Sequence, residues 1–139
     1  SVITLEDIAF GDVFLCSGQS NMVMSMKAAF NGTAEAEDSI NYPHLRFASV
    51  KTTLADQPQE DVESAAPFAW ARSGPDAVSP DDAFAGWPSA TCYYFGRELY
   101  KELSGEVPIG LVISAWGGQK VECFSSPDAL ADDTCGGTR

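Results

Sequence analysis

The run PIGLVIS, residues 108–114, restricts the fold more than any other stretch of the chain. Its residues are apolar with almost no alternation, a pattern typical of a strand that is buried on both faces. Two more short apolar runs also predict strands: DVFLC at residues 12–16 and LRFASV at residues 45–50. Strands that are buried on both faces belong mainly to parallel sheets, whose faces are covered by helices.

Helical periodicity separates these predicted strands. Residues 21–30 carry apolar side chains near helical spacing, and Gly32 follows them as a stop signal. Residues 89–103 show a stronger pattern, with apolar side chains at steps of three and four, Ser89 as a cap and Gly105 just past the end. The order strand, helix, strand, helix, strand predicts an α/β fold with a parallel sheet and helices on both faces.

A long segment, residues 52–87, interrupts this order. It is rich in Pro, Asp, Ser and Ala, and it contains Trp70 and Trp87. A loop of this length is usually functional or disordered. The two tryptophans favour an ordered loop that packs against another part of the protein.

The composition argues against some classes of partner. The net charge is −12, from 20 acidic and 8 basic residues. Because nucleic acid binding depends on clustered Lys and Arg, we expect no nucleic-acid partner. No apolar run approaches the roughly 18 residues that a membrane helix needs, so we expect no membrane span. The acidic residues fall in predicted loops, where a solvated surface is the main expectation and a calcium site the alternative.

The cysteines and one asparagine bear on the cellular compartment. Cys16, Cys92, Cys123 and Cys135 form no CxxC pair, which makes a zinc site a weak interpretation. Their even number allows disulfides, and a bond from Cys123 to Cys135 would close a short loop. Asn31 begins an N-glycosylation sequon, Asn-Gly-Thr. Together these features favour an oxidising, secretory compartment.

The stretch FLCSGQSNM places Ser20 just past the first predicted strand, after a glycine and at a predicted helix start. There a hydroxyl can project into solvent, and free backbone N–H groups can stabilise the oxyanion of an attacked ester. A second candidate, residues 114–118 (SAWGG), follows the third strand. Because parallel strands end at the same edge, both stretches are expected to face one cleft. The simpler alternatives are a helix N-cap at Ser20 and a plain glycine turn.

Three strings, GDVFLCSGQSNM, CYYFGRELY and VPIGLVISAWGG, closely resemble the sialate O-acetylesterase family of the SGNH-hydrolase superfamily. Their order and spacing agree with that family over about residues 3–135. The resemblance implies a three-layer α/β/α sandwich with a flavodoxin-like parallel sheet. It also implies that residues 1–139 are a partial SGNH-type esterase domain, an internal piece of a longer protein.

The resemblance assigns roles to individual residues. It implies that Ser20 is the nucleophile, and that its own N–H and the N–H of Gly118, or less favourably Gly117, form part of the oxyanion hole. The implied substrate is an O-acetylated sugar, notably sialic acid, and no cofactor or metal is expected. The residues expected to bind substrate are Gln19, Asn21, Trp116 and Gly117. Trp70, Trp87 and Trp116 are candidates for sugar stacking or for packing, with packing favoured for each.

The catalytic base that Ser20 needs is not evident in these residues. The only histidine, His44, precedes the second predicted strand and is therefore expected at the edge away from Ser20. By resemblance, the histidine and its acidic partner come from a companion chain or from a missing C-terminal segment.

Residues after the glycines also depart from the family pattern. Glu122 is in place, but the family's threonine and tryptophan are replaced by Gln119 and Phe124. The leading hypothesis is a carbohydrate O-acetylesterase that acts with the missing segment. A catalytically inactive structural subunit of a larger assembly is the alternative, and a sugar-binding module is a weaker third.

Overall fold

The computed structural model describes residues 2–63, 70–79 and 88–131. Its centre is a four-stranded sheet in the order β1-β4-β2-β3, in which β1, β4 and β2 run parallel and β3 runs antiparallel to β2. The strands are β1 (Asp12–Gly18), β2 (Leu45–Ser49), β3 (Ala71–Arg72) and β4 (Ile109–Ala115). The three predicted strands are thus confirmed, each with its end shifted by one or two residues. The α/β class is confirmed as well.

Five α-helices accompany the sheet in these residues. They are α1 (Ser20–Val23), α2 (Gly32–Asp38), α3 (Pro75–Val78), α4 (Ala90–Glu102) and α5 (Pro127–Ala131). Three 3-10 turns lie at Met26–Ala28, Ser39–Asn41 and Val121–Phe124. The long segment at residues 52–87 contains β3 and α3, and its residues 64–69 and 80–87, including Trp87, lie outside the described ranges.

The core lies between α4 and one face of the sheet. On β4, Ile109, Leu111 and Ile113 are buried on this face, and Phe47 of β2 packs beside them against Tyr93 of α4. On the opposite face, Val13 and Leu15 of β1 are 65% and 68% exposed. The sheet therefore buries its two faces unequally within the described residues, whereas the sequence predicts burial of the central strand on both.

Helix α4 follows its sequence signals closely. Ser89 is the N-cap, and its hydroxyl accepts a hydrogen bond from the Cys92 N–H at 3.1 Å. At the other end Gly105 has a φ of +70°, and its N–H donates to the carbonyl of Tyr100 at 2.9 Å. Such a glycine satisfies a carbonyl at the helix end, which is why the predicted bounds are correct to within a residue.

The prediction of one helix over residues 21–30 is wrong. Met24 and Ser25 have extended ψ angles of 119° and 166°, which separate α1 from the 3-10 turn. The extension is fixed by tertiary contacts, since the Ala90 N–H donates to the Met24 carbonyl at 2.8 Å and Ser25 pairs with Ser89. Gly32 begins α2 instead of ending a helix. A Cβ there would overlap the Met26 carbonyl, so the glycine serves a close backbone approach.

Candidate functional site

The serine turn and the glycine loop meet at the carboxyl edge of the sheet. Strands β1 and β4 are neighbours, with Gly18 opposite Ala115, and the Trp116 N–H extends the ladder to the Gly18 carbonyl at 2.9 Å. A Cβ built on Gly117 would lie 3.9 Å from the Ser20 Cα and 4.0 Å from its Cβ. The two stretches therefore touch.

The backbone turns sharply just before Ser20. Gly18 has a φ of +149°, a conformation that favours glycine, and a Cβ there would lie 3.3 Å from the Cβ of Met22. Helix α1 starts at Ser20, and the Met22 and Val23 N–H groups both donate to the Gln19 carbonyl. The N–H groups of Ser20 and Asn21, at the start of the helix, have no acceptor within it and are available to a ligand.

The Ser20 side chain is exposed, and no side chain in the described residues hydrogen-bonds its hydroxyl. Gln19 and Asn21 are also exposed, and neither uses its side-chain amide within those residues. Gly117 and Gly118 are exposed beside them, and Trp116 is half-buried. The residues that the sequence predicts for catalysis and substrate binding therefore lie in one short stretch of β1–α1 and one of the loop after β4.

The glycine loop is open on the side away from the sheet. Gly118 has a φ of +80°, and a Cβ there would meet no atom within 4 Å. Its conformation is one that side-chain-bearing residues adopt at a cost. The backbone of Gly118 is thus unshielded, as an N–H donor to a bound oxyanion must be.

His44 lies at the other end of the strands. It directly precedes β2, and its carbonyl accepts a hydrogen bond from the N–H of Ile109, the first residue of β4. Since β1, β2 and β4 are parallel, this is the amino edge, opposite Ser20. The expected placement of His44 is confirmed, and within the described residues no histidine reaches the serine.

A cavity of about 620 Å³ occupies this amino edge. His44, Trp70 and Arg46 line it together with the segment before β1, where Asp7 pairs with both Arg46 and Arg72. Trp70 packs on the sheet, because a Cβ on Gly110 would lie 3.1 Å from the Trp70 Cη2. Trp70 is 52% exposed and lies at the amino edge of the sheet, far along the strands from Ser20.

Cys16 and Cys92 form a disulfide that the sequence reasoning missed, with their Cα atoms 6.0 Å apart. The even cysteine count admitted such a bond, but spacing alone cannot choose among pairings. Cys123 is exposed and has no bonded partner among the described residues, while Cys135 lies outside them. The pair Cys123–Cys135 stays a prediction.

Three further observations concern glycosylation, membrane spans and metal sites. The Asn31 side chain is exposed, and its residue has a left-handed φ of 56° at the start of α2. No helix in residues 2–63, 70–79 or 88–131 combines the length and the apolar character that crossing a membrane requires. In the same residues no cluster of three or more His, Cys, Asp or Glu could hold a metal ion.

A serine at a helix start, touching a glycine loop beyond two adjacent parallel strands, is typical of serine hydrolases with an α/β fold. Comparison with known proteins shows which members of that class this chain is similar to. The chain is 40% identical over 128 residues to a sialate O-acetylesterase of Pongo abelii and 39% identical to that of Homo sapiens. Each match covers 92% of this chain, and the chain spans about a quarter, 24%, of either relative.

A solved structure gives the same result for the fold. The crystal structure of a carbohydrate acetylesterase from Xanthomonas citri superposes with a TM-score of 0.72 at 31% identity, covering 88% of this chain and 26% of that one. No protein-family model matches the chain. The resemblance to sialate O-acetylesterases that the three strings predict is confirmed, for a chain that corresponds to one part of such a protein.

Proposed function

We propose that this chain is part of a carbohydrate O-acetylesterase, in which Ser20 attacks the acetyl ester of a sugar hydroxyl. The observation that carries the proposal is the placement of the Ser20 turn beside the glycine loop at the carboxyl edge of the sheet, where the Trp116 N–H bonds to the Gly18 carbonyl. The names of the relatives support the substrate class, since they are sialate and carbohydrate acetylesterases.

The mechanism is an acyl transfer in two steps. The Ser20 Oγ attacks the acetyl carbonyl while a base takes its proton, and the N–H groups of Ser20 and Gly118 stabilise the oxyanion that forms. The base passes the proton to the sugar oxygen as the bond between this oxygen and the acetyl carbon breaks. The sugar departs with a free hydroxyl, and the acetyl group stays on Ser20. Water then attacks this ester and releases acetate. The base and its acidic partner, a His and an Asp, come from a segment of the full protein or a companion chain.

The surroundings of Ser20 suit a polar, uncharged group such as a sugar hydroxyl. Gln19 and Asn21 present amide side chains on either side of the serine that are unbonded within the described residues, and amides both donate and accept hydrogen bonds. Trp116 and Gly117 border the same edge. We assign sugar binding to these four residues, with residues 1–139 forming the part of an SGNH-type esterase domain that carries the nucleophile.

A fluorophosphonate probe tests the nucleophile on the natural, full-length protein. We expect a mass increase on the peptide with Ser20, and release of acetate from O-acetylated sialic acid. Ser20→Ala should lose both. The matched control is Ser17→Ala, because Ser17 is an exposed serine of the same strand-to-helix stretch. Labelling that persists in Ser20→Ala, or full acetate release by it, would falsify the proposed function.

The alternative is a structural subunit with this fold and no activity. The observation that favours it is the placement of His44 at the opposite edge, which leaves the Ser20 hydroxyl without a base in the described residues. Without a base the serine stays protonated and is a weak nucleophile. If the native protein, isolated with all its chains, leaves Ser20 unlabelled, this alternative replaces the esterase.

We also propose a secretory-pathway location, secreted or lysosomal, and a glycan on Asn31. The Cys16–Cys92 disulfide supports the location, because disulfides persist in oxidising compartments. The exposed Asn31 side chain supports the glycan. Treatment of the native protein with a peptide N-glycosidase should lower its mass and convert Asn31 to Asp. An unchanged mass would remove the glycan from the proposal.

A further inference from the structure

We propose that the first turn of α4, residues 89–92, positions the nucleophile, with Thr91 as a positioning residue and the Cys16–Cys92 disulfide as its covalent anchor. The proposal rests on the function proposed above, because it assigns a role in placing Ser20. Neither Thr91 nor either cysteine touches the reacting atoms. Their effect is exerted through the backbone on both sides of the serine.

The disulfide fixes the backbone before the serine. Cys16 lies in β1, four residues ahead of Ser20, and Cys92 lies in the first turn of α4. Both are buried, with 8% and 1% of their surface exposed. The bond therefore ties the end of the strand that leads to Ser20 to the beginning of a separate, longer helix.

Hydrogen bonds from the same turn fix the backbone after the serine. The Thr91 hydroxyl donates to the carbonyl of Asn21, the residue next to Ser20, at 3.0 Å. The Ala90 N–H donates to the Met24 carbonyl at 2.8 Å, just past the end of α1. The start of α4 thus holds α1 at two points: at Asn21, its second residue, and at Met24, just past its last residue.

Ser89 adds a third link while capping α4. Its hydroxyl oxygen accepts the Cys92 N–H, and the hydroxyl donates to the sulfur of Met22 at 3.1 Å. Met22 itself packs against the core. The N-cap residue of α4 thus also holds a side chain of α1.

Helix α1 depends on these links because it is too short to be stable alone. It has four residues, and isolated helices below about 12 residues are marginal in water. Helix α4 has 13 residues and a side-chain N-cap, so it is the firmer of the two elements. A displacement of about 1 Å in a reacting group can lower a rate by about 100-fold. The links therefore bear directly on the acylation rate.

The test compares Thr91→Val with Thr91→Ser in the natural, full-length protein. Valine has the shape of threonine but lacks the donor to Asn21, whereas serine retains it. We expect Thr91→Val to lower the phosphonylation rate of Ser20, per titrated site, by about two- to tenfold. Thr91→Ser should restore most of the rate, and kcat should fall with KM nearly unchanged. Thr52→Val is the control, since Thr52 is exposed and its hydroxyl has no bonded partner among the described residues.

Counting active sites separates positioning from a purely structural role. A structural role would lower the number of titratable sites or the midpoint of unfolding, and leave the rate per site unchanged. That result for Thr91→Val would overturn the proposal. The replacement of both disulfide cysteines by alanine should lower the per-site rate by more than about tenfold. An unchanged per-site rate in the double variant would refute the anchoring role.

The same experiment distinguishes this proposal from the function on which it rests. If the unaltered protein is labelled at Ser20 and Thr91→Val reacts at the same rate per site, only the positioning role fails. If the unaltered protein is not labelled at Ser20, the proposed function fails and the positioning role fails with it.

Discussion

Replacement of Gly118 by alanine should lower activity far more than stability. The residue has a φ of +80°, and this left-handed conformation costs a side-chain-bearing residue about 1–2 kcal/mol. A new Cβ meets no atom within 4 Å, so no steric cost is added. For the same reason nothing prevents the loop from relieving the strain by turning the peptide that carries the Gly118 N–H. The free energy of unfolding should therefore fall by no more than about 2 kcal/mol.

The expected loss of activity has the same cause, because rotation of this peptide moves the Gly118 N–H away from the oxyanion. Removal of one oxyanion donor lowers kcat by about 100- to 1000-fold, equivalent to about 2.7–4 kcal/mol of transition-state stabilisation. The assay is acetate release per titrated site, with urea unfolding measured in parallel. Gly74→Ala is the control, because a Cβ on Gly74 also meets no atom and its φ of 169° is ordinary extended backbone.

Two results would refute this reasoning. If Gly118→Ala unfolds at lower urea but keeps its kcat per site within about threefold, the strained peptide has not turned, and the predicted loss of an oxyanion donor is wrong. If both its stability and its kcat equal those of the unaltered protein, the cost assigned to the left-handed backbone is wrong.

Three further predictions concern stability. Gly96→Ala should lower the free energy of unfolding, measured in urea, by about 1–2 kcal/mol. The new Cβ would lie 2.5 Å from the Cδ1 of Leu111, and this overpacking costs more than the helix gains from alanine. An unchanged urea midpoint would contradict this. Burial raises the pKa of Tyr42 from 10.0 to about 12. The folded state therefore binds the phenolic proton more tightly than the unfolded state, and the resulting stability should be lost as the pH rises from about 10 to about 12. Thermal unfolding of Tyr42→Phe should show a shallower loss of stability in this pH range. The remaining loss belongs to Tyr93 and Tyr94, because burial raises the pKa of each. An identical slope would count against the assignment to Tyr42. Finally, the 139 residues expressed alone should aggregate, because Val13 and Leu15 expose one sheet face, and threonine at both positions should raise the soluble fraction in sedimentation. A monodisperse unaltered chain would disagree with that prediction.

Local signals predicted the strands and the long helix well. Residues 12–16, 45–50 and 108–114 are short apolar runs, and each overlaps a strand of the sheet. Helix α4 carries its own cap at Ser89 and its own end signal at Gly105. These elements depend on residues near each other in the chain, so their sequence patterns are sufficient to predict them.

The short elements around Ser20 could not be predicted in the same way. The apolar spacing of residues 21–30 is helical, yet Met24 and Ser25 are extended because they bond to the start of α4, more than 60 residues away. The sequence pattern predicts a stop signal at Gly32, but the role of this glycine depends on the approach of the Met26 carbonyl. Propensity cannot report a contact with a distant segment.

By itself, the sequence determined the α/β class, the candidate nucleophile Ser20 and the expectation that His44 is not its base. Apolar runs, a serine between a strand and a helix, and the position of a residue before a strand are all properties of the chain order. Only the tertiary structure decided that Gly117 lies beside Ser20 and that Cys92 bonds to Cys16. Both contacts depend on which strands are neighbours and on where α4 begins over the sheet, and no local pattern encodes that arrangement.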